Sequence, residues 1–191
     1  MQKTIIYQML PRLWGNGKAR PKKNGTLVDN GTGKFSDIDH NTLKYLKWLG
    51  CSHVWYTGVI RHSTQASEEG CIPSHPQFVK GMAGSPYAIC DYYNVNAYLS
   101  DDPQQRMEEF ESLIARTHEA GLKVIIDFVP NHVSRDYGKV NPVPGHPVLG
   151  SDDDTSVHWK PENDFFYYPE QGIKLPTEPP TGMEAYSEFP A

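Results

Sequence analysis

The sequence predicts an α/β fold built on a parallel sheet, and three observations carry that reading. Short apolar runs alternate with stretches of helical periodicity in the order strand–helix–strand–helix–strand. The run Leu122-Lys123-Val124-Ile125-Ile126-Asp127-Phe128-Val129 is almost continuously apolar and short for a helix, the pattern of a strand buried on both faces. A glycine closes each helical stretch, where a left-handed cap lets the chain turn back. Strand–helix–strand units of this kind cross over right-handed and leave their strands parallel.

The elements follow in order. Thr4 to Leu10 reads as a strand that stops at Pro11, and residues 15–34, rich in Gly, Lys and Asn, read as an exposed loop. From Ile38 onward Leu43, Leu46 and Leu49 recur at helical spacing, and Gly50 is placed to cap that helix. Ser52 to Thr57 is the second strand, broken by Gly58, and a long loop with several prolines is expected from there to about Ser100. Asp102-Pro103-Gln104-Gln105 opens the second helix with an N-cap, a Pro at the first helical position and a capping-box Gln. Met107, Phe110, Leu113 and Ile114 form its apolar stripe, and Gly121 ends it before the third strand. Beyond His132 no helical stripe survives; Pro, Gly, Asp and Tyr dominate, and the segment reads as an irregular excursion that packs weakly.

Composition narrows the function. A net charge of −5 without a Lys/Arg cluster argues against nucleic acid or an anionic membrane as the main partner. No transmembrane span is evident, and the N-terminus lacks a convincing leader, so the chain as given reads as cytoplasmic, or as periplasmic or secreted if a leader was removed. Cys51, Cys71 and Cys90 are odd in number and follow no metal-ligand spacing, which argues against a disulfide framework. Eleven Tyr and four Trp suit a protein whose ligands stack on rings, although many such residues serve packing.

The polar groups that stand out are Asp127, Asn131 and His132, delivered together at the C-terminal end of the third strand. By residue type alone Asp127 fits a backbone cap, and Tyr87, in a Pro-rich loop, fits packing as well as a ligand platform. His53, His62, His75, His118 and His158 have no partner spacing and stay as background.

The segment from Asp127 to His132 resembles the first signature region of the α-amylase family of glycoside hydrolases, in which a barrel strand ends in Asp-x-x-x-Asn-His. Ile5-Ile6-Tyr7-Gln8-Met9-Leu10-Pro11-Arg12 resembles that family's opening strand, and Leu43 to Gly50 its first helix. Tyr87-Ala88-Ile89-Cys90-Asp91-Tyr92 is similar to its Tyr-Asp-Ile-x-Asp-Tyr element, with Ala88 where Asp is common and Ser85-Pro86 where Gly is usual. The matches run in family order over about residues 4–135.

The resemblance implies a partial (β/α)8 TIM barrel: its first three strands in residues 1–132, then an irregular inserted subdomain in 133–191. A complete barrel takes roughly 250 residues, so the chain is short for one. It also implies an enzyme family acting on α-linked glucans by a retaining mechanism. Tyr87 would stack on the sugar at the cleavage point, His132 would hydrogen-bond its hydroxyls, and Asp127 would anchor loops at the strand end. Asn131 would hold the subdomain, in many members by ligating calcium, with Asp152, Asp153, Asp154 and Asp164 as possible companions. Calcium takes about six to eight oxygen ligands.

Retaining glycosidases need two carboxyl groups about 5–5.5 Å apart. In the family these follow later strands, and Glu162, Asp164 and Glu170 lie in irregular sequence. The expectation is therefore a chain that lacks its catalytic carboxylates and is inactive alone. A transglycosylase or isomerase on the same scaffold, and a non-catalytic carbohydrate-binding or interaction module, are the alternatives.

Overall fold

The computed structural model describes residues 3–138, 145 and 147–191. Met1 and Gln2 of the N-terminal reading, and residues 139–144 and 146 of the expected excursion, lie outside the described residues. The elements run β1 (Ile6–Met9), α1 (Leu27–Asn30), α2 (His40–Trp48), β2 (His53–Tyr56), β3 (Ile60–His62), β4 (Ile89–Val95), α3 (Arg106–Glu119) and β5 (Lys123–Ile126). β1, β2 and β5 form a parallel sheet in the order β1-β2-β5, with Met9 opposite Tyr56 and Tyr56 opposite Ile126. No helix among the described residues is long and apolar enough to cross a membrane.

The first helix forms where its spacing places it. Asp39 caps α2, its carboxylate accepting the Thr42 amide at 2.8 Å. Leu43 and Leu46 are fully buried, and Gly50 ends the helix at φ +87°. Leu49 departs from the expected stripe and is 44% exposed, because it sits at the C-cap where the helical face has already turned outward. Lys47 then donates to the Gly121 carbonyl at 2.7 Å, tying the end of α2 to the turn that starts β5.

Helix α3 packs Phe110, Leu113 and Thr117 into the core, with the Phe110 ring 5.4 Å from that of Phe35. The Thr117 hydroxyl donates to Leu113 at 2.7 Å and pairs with the buried Tyr56 hydroxyl at 2.8 Å. A phenol inside the core is thereby satisfied. The expected capping box takes another form. Pro103–Gln105 is a 3-10 turn capped by Asp102, and Glu109 accepts the amides of Asp101 and Asp102 at 2.9 and 2.8 Å.

Three further expectations are corrected. The loop of residues 15–34 contains α1, closed by a capping box between Thr26 and Asp29. The expected loop from Gly58 to Ser100 carries β3 and β4, paired antiparallel with register shifts that interrupt the ladder. β5 is not buried on both faces: Ile126 is 42% exposed, and just past the strand Phe128 is 75% exposed. It stands at the edge of its sheet, and its apolar face meets no further strand among the described residues.

After β5 no helix or strand occurs among the described residues. The segment returns on itself and onto the rest of the chain through hydrogen bonds, while none of its described residues from 147 onward is buried. Tyr168 and Ile173 donate to Ala191 and Glu188 at 2.7 and 2.9 Å, and Gln77 accepts the Tyr186 amide at 2.8 Å.

Candidate functional site

Parallel pairing brings the C-terminal ends of β1, β2 and β5 to one edge of the sheet. The strands leave that edge into Leu10-Pro11-Arg12, Thr57-Gly58 and Asp127-to-His132. Thr57 joins the first two exits: its amide donates to Met9 at 2.9 Å and its hydroxyl accepts from the Gln8 side chain at 2.9 Å.

Asp127 joins the second exit to the third. One carboxylate oxygen accepts the Trp55 indole N–H at 2.8 Å, and the other the Gly58 amide at 3.1 Å. Gly58 has φ +75°, and a Cβ there would lie 3.1 Å from Leu10 and from Pro86. Pro86 is thus seated on the end of β2, and Tyr87 follows it. Tyr87 is 44% exposed, its amide donating to the Ser85 hydroxyl at 3.3 Å.

The segment after β5 is tethered beside the start of β4. Ser134 donates its amide to Ile89 at 2.7 Å, and the hydroxyls of Ser63 and Ser134 are hydrogen-bonded. Ser63 in turn donates its amide to Ala88 at 2.9 Å. These bonds hold the backbone two residues after Tyr87 against the backbone two residues after His132. Asn131 and His132 are both exposed, and the His132 side chain has no hydrogen-bond partner among the described residues.

Behind this rim lies a buried polar group that residue spacing did not reveal. His62 is 3% exposed, and burial lowers its pKa to about 4. The Asn96 amide N–H group donates to Gly58, Ile60 and the His62 Nδ1, at 3.2, 3.1 and 3.0 Å, while its oxygen accepts the His62 amide at 3.2 Å. The ring is held on both sides: Nδ1 lies 3.0 Å from the Asn96 amide nitrogen and 3.3 Å from the Ile60 carbonyl, and Nε2 lies 3.3 Å from the Ala83 carbonyl. Tyr98 lies 3.2 Å from Nε2, and burial pushes its phenol pKa up. No local sequence signal separates His62 from the other histidines, because its partners lie far along the chain.

Several acidic residues after β5 accept hydrogen bonds from their own loops. Asp153 accepts the amides of Asp164 and Phe165 at 2.9 and 3.0 Å and the Tyr167 hydroxyl at 3.0 Å. Asp154 accepts the Ser156 hydroxyl and amide, which hold its carboxyl below the ordinary value. Asp164 accepts the Gly150 amide at 2.8 Å. Asp152 takes no part in these bonds, and Glu162 and Glu170 are exposed. These carboxylates are spent on their own loops, and no group of three or more His, Cys, Asp or Glu suited to a metal occurs among the described residues.

Residues 20–189 match the family described as the α-amylase catalytic domain. Maltase A1 of Drosophila melanogaster is 30% identical over 128 residues, covering 67% of this chain and 16% of the relative. The amino acid transporter heavy chain SLC3A1 of Homo sapiens is 27% identical over 133 residues, covering 70% of this chain and 14% of the relative. An α-amylase structure from Lactobacillus plantarum has 26% identity and a TM-score of 0.49, covering 71% of this chain and 24% of that one. The chain thus spans less than a fifth of the length of these two curated relatives.

Proposed function

The chain belongs to the α-amylase catalytic-domain family, and from that premise we propose that it forms the sugar-binding rim of a retaining glycosidase acting on α-linked glucans. Residues 1–132 are the first three strands of a (β/α)8 barrel, and residues 133–191 belong to a subdomain inserted after the third. Tyr87 stacks on the apolar face of a glucose ring. His132 hydrogen-bonds the hydroxyls of the same ring, and its free side chain suits that role. Asp127 is structural: through Trp55 and Gly58 it holds the exit of β2, on which Pro86 rests. Asn131, exposed after β5, is the residue that would ligate calcium in this reading. The acid and nucleophile carboxylates lie outside these 191 residues.

The single observation that supports this reading is the tether from Ser134 to Ile89, which holds the backbone just after Tyr87 against the backbone just after His132. A second reading, a non-catalytic interaction module, draws on the similarity to a transporter heavy chain. Both readings are separated by activity. The 191-residue chain, shown to be folded and soluble, is expected not to hydrolyse maltooligosaccharides; turnover that survives repurification places the carboxylates inside it. In a longer protein carrying this chain and the remaining barrel strands, turnover is expected, and His132→Ala is expected to lower kcat/KM about tenfold, or about 1.4 kcal/mol of transition-state stabilisation. A longer protein that binds but never cleaves α-glucans favours the interaction module.

A further inference from the structure

We propose that Arg12 and His62 are positioning residues that clamp the backbone leading into Tyr87 and so hold its ring in place for a sugar. The proposal rests on the reading of Tyr87 as the sugar platform. Two donors from different parts of the fold converge on one carbonyl. Arg12, just past β1, donates to Ala83 at 3.2 Å and reaches Gly84 at 3.5 Å. His62, at the end of β3, donates to the same Ala83 oxygen from Nε2 at 3.3 Å.

Each donor is itself fixed. The Arg12 carbonyl accepts the Gly33 amide at 2.8 Å, and a Cβ at Gly33 would lie 1.9 Å from the Trp14 carbonyl oxygen, so that turn admits no larger residue. His62 is oriented by Asn96, itself buried and bonded to the carbonyls of Gly58 and Ile60.

The clamped segment has little freedom downstream. Gly84 has φ +64°, and a Cβ there would approach the Ser63 carbonyl oxygen to 1.8 Å. Pro86 rests on Gly58, and Ala88 accepts the Ser63 amide. Tyr87 therefore projects from a strap held on one side by the clamp and on the other by the start of β4. An exposed aromatic ring is useful as a platform only if its orientation is set before the sugar arrives, since ordering it on binding subtracts from affinity.

The test is a double-mutant cycle on the full protein that carries this chain, with a non-hydrolysable thio-linked maltooligosaccharide as the probe and calorimetric affinity as the readout. Tyr87→Ala is expected to weaken binding about tenfold, and Arg12→Ala and His62→Ala several-fold. Added to Tyr87→Ala, the Arg12 or His62 change should weaken binding by less than about twofold further, because the strap then positions nothing. Arg12→Lys and His62→Gln, which keep a donor and avoid a hole, should recover part of the affinity and guard against variants that fail to fold. Fully additive losses would overturn the proposal. Amide exchange at Ala88, whose N–H bonds the Ser85 carbonyl at 3.0 Å, supplies a readout independent of sugar. It should quicken in Arg12→Ala, and unchanged exchange overturns the clamp. Quickened exchange with no effect of Tyr87→Ala on affinity leaves the clamp standing and removes the sugar platform instead.

Discussion

The two halves of this molecule hold their shape by different means. In residues 6–126, Leu43, Leu46, Val54, Tyr56 and Leu113 are completely buried between the parallel sheet and its helices. Among the described residues from Pro147 onward, none is buried; Trp159 is 58% exposed and Phe166 66%. That second region is ordered by carboxylates that accept backbone amides, as Asp153 does from Asp164 and Phe165, and by an edge-on contact of Tyr186 with Phe78 at 4.9 Å. The comparison teaches that one region derives its stability from apolar burial, which is collective. The other relies on local hydrogen bonds, each worth only about 1 kcal/mol net.

The largest expected effect tests that division directly. Leu113→Ala should cost about 2–5 kcal/mol in urea unfolding, because the cavity it leaves lies between α3 and the sheet. Phe166→Ala should stay within about 0.5 kcal/mol, since its ring is already largely in water. Equal losses would break the comparison.

Acid should separate the regions next. The folded-state pKa of His62 is lowered to about 4 by burial from the ordinary 6.5, so the unfolded chain binds the proton more readily. The resulting stability is fully present above pH 6.5 and is lost as pH falls toward 4, by roughly 3 kcal/mol at the limit. His62→Gln should flatten that stretch of the stability–pH curve, and a slope that persists would place its origin elsewhere. Asp154, held below 3.8 chiefly by its bonds to Ser156, contributes above that value and loses its contribution only at lower pH. The sheet region should therefore weaken first on acidification.

The smallest effect sharpens the picture of the second region. Asp153→Asn should quicken amide exchange at Asp164 and Phe165 while leaving the urea midpoint unmoved. A shifted midpoint would mean that this loop is coupled to the core after all.

Legibility in the sequence follows the same division. The stripes of α2 and α3, the Asp102 cap and the glycine stops were readable because they depend on neighbours within a few positions. β3 and β4 were not: Ile60–His62 is too short to show alternation, and the ladder is broken by register shifts. The exposure of β5 was also hidden, since an apolar run states what a strand can bury and not whether anything covers it. Asp127, Asn131, His132 and Tyr87 were singled out from motif resemblance, but their relation to one another required the Ser134–Ile89 tether.

By itself, then, the sequence determined the order of the three parallel strands and the two longer helices, the turns where Gly50, Gly58 and Gly121 take positive φ, and the candidate residues at the strand ends. These are properties of backbone sterics and apolar periodicity, which act locally. The tertiary structure alone decided that Arg12, His62 and Ala83 meet, and that the Asp153 carboxylate accepts the amides of Asp164 and Phe165. Hydrogen bonds to carbonyls distant in sequence form only once packing has brought those carbonyls within about 3 Å, and no local propensity encodes that approach.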